Sequence, residues 1–168
     1  MANINVKLDT KQLQAFRDQL QQKASEEQIQ KFFESCAKEL AARLLAKVIK
    51  RTPVGQYPAG SGKTGGTLRR GWTGGVDGNA AQYAQSLKVE RVDGGYQIEI
   101  TNPVAYASYV EYGHRQTVGR FVPSIGKRLK QGWIEGKFML TVSEKELQTA
   151  APGVIEKKME KFLRECFG

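Results

Sequence analysis

The chain has 168 residues, 40% hydrophobic and 26% charged, which suits one ordinary domain with a buried core and excludes wholesale disorder. With 26 Lys and Arg against 17 Asp and Glu, it carries a net charge of +9, which favours nucleic acid or an acidic protein surface as partner. No run approaches the ~20 apolar residues of a membrane span, and two cysteines 130 residues apart with one histidine exclude a disulfide framework and a zinc site. The N-terminus lacks the basic and apolar stretches of a secretory signal. The expectation is a protein made in the cytosol, with Cys36 and Cys166 as buried, reduced thiols and no membrane partner.

Residues 9–22 read as a short helix that Asp9 or Thr10 can cap, with Leu13, Phe16 and Leu20 at helical spacing. Ser25 and Gln28 form a capping-box pattern, each side chain able to satisfy an orphan amide of the first turn. From there Ile29, Phe32, Phe33, Cys36, Leu40, Leu44, Leu45 and Val48 hold an apolar stripe to Arg51. Such a helix is roughly 39 Å long. Leu40 and Leu44 are expected to face the core, and Pro53 ends the helix because the residue before a proline avoids helical geometry. Residues 1–24 read as an arm or short helix ahead of a single α+β domain over 25–168.

Residues 52–67, with two prolines and five glycines, are a loop by composition. Within it, Gly60-Ser61-Gly62-Lys63-Thr64 imitates a phosphate-binding loop. However, Tyr57 stands where the preceding glycine belongs, and a helix precedes the loop instead of a buried strand. No nucleotide, cofactor or small-molecule substrate is expected. His114 is the lone histidine, and a catalytic base needs an orienting carboxylate and a nucleophile in reach. The chain therefore does not read as an enzyme, and no metal or catalytic residue is assigned.

Further on, Leu87, Val89 and Val92 alternate with polar residues, Asp93-Gly94-Gly95 supplies a tight turn, and Tyr96, Ile98 and Ile100 alternate again. This predicts a β-hairpin over 85–101. Residues 104–112 fit a helix or a strand; the spacing of Tyr106, Tyr109 and Val110 favours a short helix that Gly113 ends. Residues 114–137 are basic and glycine-punctuated, with a strand near Trp133. Ser143 and Glu146 make a second capping-box pattern ahead of an amphipathic C-terminal helix, in which Pro152 makes a kink or starts the longer second half. The expected fold is α+β, with a long N-terminal and a C-terminal helix packed on a small antiparallel sheet with long basic loops.

Helical segments mix both signs of charge, so the sharper excess lies in the loops: Arg69 and Arg70, then Arg115, Arg120, Lys127, Arg128 and Lys130. These are the candidate contacts for DNA or a neighbouring protein, with plain solvation as the alternative. Leu68 and Trp72, at i and i+4, are expected to bury while Arg69 and Arg70 stay outside. Tyr106, Tyr109 and Tyr112 are expected to pack under the sheet, and Glu111 to pair with Arg115 or His114 at its helix end.

Three stretches, in order after one long helix, carry a resemblance. They are Arg51-Thr52-Pro53-Val54 with Thr64-Gly65-Gly66-Thr67-Leu68-Arg69-Arg70-Gly71-Trp72, then Val104-Ala105-Tyr106-Ala107-Ser108-Tyr109-Val110-Glu111-Tyr112-Gly113-His114-Arg115, then Gly136-Lys137-Phe138-Met139-Leu140. Over about residues 25–166 the chain resembles the head–tail joining or tail-completion proteins of tailed bacteriophages, small non-enzymatic proteins of the virion neck and upper tail. The resemblance implies structural roles for Leu68, Trp72, Tyr106, Tyr109, Glu111, Tyr112, Gly113, Phe138 and Met139. It implies a ring of copies around the DNA channel, other neck and tail proteins as partners, and non-specific contact with packaged DNA. It also implies residence in the virion after assembly in the bacterial cytoplasm. The chain departs from the family in roughly ten extra residues between Val54 and Thr64 and in a longer segment 116–135. The rival reading is a free, basic nucleic-acid-binding protein of the host.

Overall fold

The structure, a computed structural model, describes residues 11–57, 59–75, 79–123 and 126–168. The expected caps Asp9 and Thr10 lie outside these residues. Helix α1 runs over Lys11–Lys23 and α2 over Glu26–Arg51. The capping box forms as its sequence predicts: the Gln28 amide donates to Ser25 Oγ, and the Ser25 amide donates to Gln28 Oε1. The buried stripe of α2 is Phe32, Cys36, Ala41, Leu45 and Val48. Leu40 and Leu44 are only half-buried, because the face that meets the rest of the chain is centred one residue further along, on Leu45.

Two short helices interrupt what reads as loop and strand. Helix α3, Thr67–Gly71, carries Leu68 into the core with Trp72 just after it, both buried as their i, i+4 spacing predicts. Helix α4, Ala80–Ser86, begins where Asn79 accepts from the Ala81 amide, and it lies along α2. The predicted hairpin therefore shrinks to β1, Glu90–Val92, and β2, Gly95–Gln97, paired antiparallel across the Asp93-Gly94 turn. Leu87, Ile98 and Ile100, expected in its strands, pack on the core from the flanking chain.

Helix α5, Ala107–Tyr112, is short as expected, and Gly113 ends it with φ 84°. That conformation favours glycine, and a Cβ there would run into the Ile134 carbonyl. Strand β3, Gly113–Arg115, pairs antiparallel with β6, Trp133–Glu135, so a strand at Trp133 is confirmed. Between them β4, Phe121–Val122, pairs with β5, Lys127–Arg128.

The last helix, α6, spans Met139–Phe167 as one element with Pro152 inside it. Ser143 does not cap it. Ser143 lies inside the helix, fully buried, with its hydroxyl donating to the Met139 carbonyl. Helices α2 and α6 pack antiparallel. Arg51 donates to Ser143 Oγ, Lys47 and Arg51 each meet Glu146 at 2.7 Å, and the Phe32 and Phe162 rings stack at the far end. The core of Ala41, Leu45, Val48, Leu68, Trp72, Ala84 and Met139 sits where α2, α3, α4 and the start of α6 meet. The class is α+β, as the patterning predicts, with the antiparallel strands in three separate two-stranded pieces among the described residues.

Candidate functional site

The residues singled out from sequence separate into three groups. Arg69 and Arg70 turn inward and do not join the other cations. Arg69 donates to the Thr52 carbonyl at 2.9 Å and Arg70 to the Gly65 carbonyl at 3.3 Å, both half-buried. Their guanidinium groups close the loop 53–66 onto α3, because carbonyls freed at the end of α2 and in the loop need donors. Beside them Trp72 Nε1 donates to Thr52 Oγ1, which in turn donates to the Val48 carbonyl. The expectation that both arginines stay outside is corrected by these bonds.

The second group is an aromatic face. Tyr106, Tyr109 and Tyr112 are 45%, 58% and 62% exposed, so they do not pack under a sheet. The six residues of α5 have one inward side, and Ala107, Val110 and Glu111 occupy it. The three tyrosines, spaced i, i+3, are left on the outer side. Phe138 adds to this exposed surface from a left-handed backbone position, φ 47°, while its neighbour Met139 is buried.

Glu111 is buried but makes no ion pair with Arg115 or His114. Its carboxylate accepts from the amides of Leu140 and Thr141 at 3.0 Å and from Thr141 Oγ1 at 2.8 Å, so it caps the first turn of α6. An anion at a helix N-terminus meets both orphan amides and the positive end of the helix dipole. The Phe138 amide also donates to the Glu111 carbonyl and the Lys137 amide to the Val110 carbonyl, which fixes α5 to α6.

The third group lies on one arm. Past β3 and β6 the Gln116 amide donates to Gly132, Gly119 to Leu129, and Leu129 to Arg120, and β4–β5 then continues the same two-stranded ribbon. The described residues of the basic loop, 113–123 and 126–135, thus form an antiparallel arm. Arg115, Arg120, Lys127, Arg128 and Lys130 all sit on it, against one acid, Glu135. Arg128 donates to the Gly119 carbonyl and lies over the Phe121 ring. No arm cation meets a carboxylate among the described residues, whereas Lys31, Arg43, Lys47, Arg51 and Lys88 each do.

One further surface escaped the sequence reading. A groove of about 880 Å³ lies between the N-terminal half of α2 and the β1–β2 hairpin, lined by Ile29, Phe33, Leu40, Val92 and Tyr96 among others, with Phe33 and Tyr96 stacked. Each apolar residue reads as core by periodicity, so only the placement of the hairpin reveals the gap.

The family model described as "Bacteriophage HK97-gp10, putative tail-component" matches residues 14–113. The chain belongs to that family, and is a bacteriophage tail component. The match runs from within α1 through α5 and ends at the root of the arm, so the three tyrosines lie within it, and the rest of the arm, Phe138 and α6 lie beyond it. No curated protein and no solved structure matches the chain.

Proposed function

We propose that this protein is a structural, non-enzymatic component of the phage neck or upper tail, joining head to tail or completing the tail as a ring around the DNA channel. Its partners are further copies of itself and the adjoining neck and tail proteins, and its place is the virion, reached after assembly in the host cytoplasm. The observation that carries this is the pair of bare apolar surfaces on one small molecule. Tyr106 of the tyrosine face lines a cleft with Pro53 and Val54, just past the C-terminal end of α2, and the Phe33–Tyr96 groove lies on the N-terminal half of α2. Two different surfaces toward opposite ends of one subunit suit a heterologous, head-to-tail contact, which closes into a ring when its rotation closes. Exposed tyrosine and phenylalanine are the side chains enriched where such contacts bury.

The test is genetic and structural. Particles made without this protein should accumulate as filled heads and separate tails in electron micrographs, and the wild-type gene supplied in trans should rejoin them. Joined, infectious particles in its absence would refute the reading. A Tyr109→Ala, Tyr112→Ala double variant should fold normally yet fail to restore joining.

A further inference from the structure

We infer that the arm, through its described residues 113–123 and 126–135, is a duplex-binding element that grips the phosphate backbone of DNA. The inference deepens the proposed ring and rests on it for where the DNA is met; the binding itself belongs to the single chain. Three observations carry it. The five arm cations stand against Glu135 alone and none has a carboxylate partner among the described residues, so their charge is unspent within the molecule.

The cations also occupy both faces of the ribbon. Lys127 lies opposite Val122 and Arg128 opposite Phe121, so these two neighbouring cations leave opposite faces of the ribbon. A flat acidic protein surface meets one face at a time, whereas the phosphate rows flanking a DNA groove present negative charge to both. The dimensions agree. Two strands about 4.8 Å apart make a ribbon that the major groove, about 12 Å wide, admits.

Finally, the arm is free to reach. Beyond β3 and β6 its strands pair with each other, and most of its side chains, Arg115, Arg120, Lys127, Arg128 and Lys130 among them, are exposed or nearly so. The hydrogen bond from Arg128 to Gly119 holds that guanidinium in place before any partner arrives.

The test is fluorescence anisotropy with the full chain and labelled 30-bp duplexes of two unrelated sequences, between 50 and 200 mM salt. Equal affinity for both sequences is expected. Affinity should fall about a hundredfold across that range, as counterion release from about four phosphate contacts requires. Changing Arg115, Arg120, Lys127 and Lys130 to Gln should weaken binding at least tenfold. A charge-matched variant with Lys145, Lys157, Lys158 and Lys161 changed to Gln on α6 should stay within about threefold of wild type, with thermal melts confirming that both fold. Equal losses in the two variants, salt-insensitive binding or a preference for one sequence would overturn the inference. So would tighter binding of poly-L-glutamate than of the duplex at equal charge concentration, which would give the arm to an acidic protein surface. If the duplex is not bound while particles lacking the chain still come apart at the neck, the arm inference fails and the ring stands. The reverse outcome removes the ring and leaves the arm.

Discussion

Glu111 joins the matched family region to the helix beyond it, and it does so through three hydrogen bonds to one turn. Removing a side-chain cap costs about 0.5–2 kcal/mol, and a buried donor left without an acceptor costs about 1–3 kcal/mol. Glu111→Ala should therefore destabilise the fold by about 2 kcal/mol in urea melts, and Glu111→Gln, which keeps one acceptor, by roughly half as much. An effect of Glu111→Ala within about 0.5 kcal/mol, the size usual for surface positions, would mean the cap is not formed in solution. Sequence reasoning reached Glu111 only as a helix-end ion pair with its neighbours. Its true partners are backbone amides 29 and 30 residues away, and backbone amides carry no mark in a sequence. The tyrosines of α5 failed for a related reason. A six-residue helix has no second turn to show which side is apolar, so Tyr106, Tyr109 and Tyr112 read as core although Ala107, Val110 and Glu111 fill that place.

At the scale of elements, one pattern gives two outcomes. Ser25 with Gln28 caps α2, while Ser143 with Glu146 sits inside α6, because Glu111 has already started that helix four residues earlier. Glu146 instead joins α6 to α2. The Lys47 ammonium bonded to it, with the Arg51 guanidinium close by, holds its carboxyl below the ordinary glutamate range despite partial desolvation. A carboxyl depressed on folding adds stability that is complete above its unfolded pKa, about 4.3, and is lost as pH falls through the lower folded value. The melting temperature should thus hold steady from about pH 7 to 5 and decline below about pH 4. Glu146→Gln, melted alongside, should show a shallower acid-side decline; identical curves would place the α2–α6 link elsewhere. The long helices were legible because 26 and 29 residues repeat their apolar stripe many times. Helices α3 and α4, five and seven residues long, offer little more than a turn or two each, and the ribbon from Gly113 to Glu135 alternates too irregularly to announce itself.

For the whole molecule, charge decides how copies meet. The net charge is +9, and the arm concentrates five exposed cations that meet no carboxylate among the described residues. Any head-to-tail contact that brings one arm near the next sets like charges together, and within each arm only Glu135 offsets them. The bare tyrosine face and the Phe33–Tyr96 groove attract by apolar burial, which salt does not weaken, while arm–arm repulsion fades as the screening length drops from about 14 Å at 0.05 M salt to about 4 Å at 0.5 M. Association of the isolated chain should therefore increase with salt. Sedimentation at low micromolar concentration should give a mainly monomeric species at 0.05 M salt and a growing oligomer fraction at 0.5 M. The arm variant with four Gln substitutions should associate at lower salt than wild type, since Arg128 alone is left to repel on each arm. Oligomers that form at low salt and dissociate at high salt would mean that opposite charges, rather than apolar faces, hold the copies together, and the aromatic face would then lose its role in assembly.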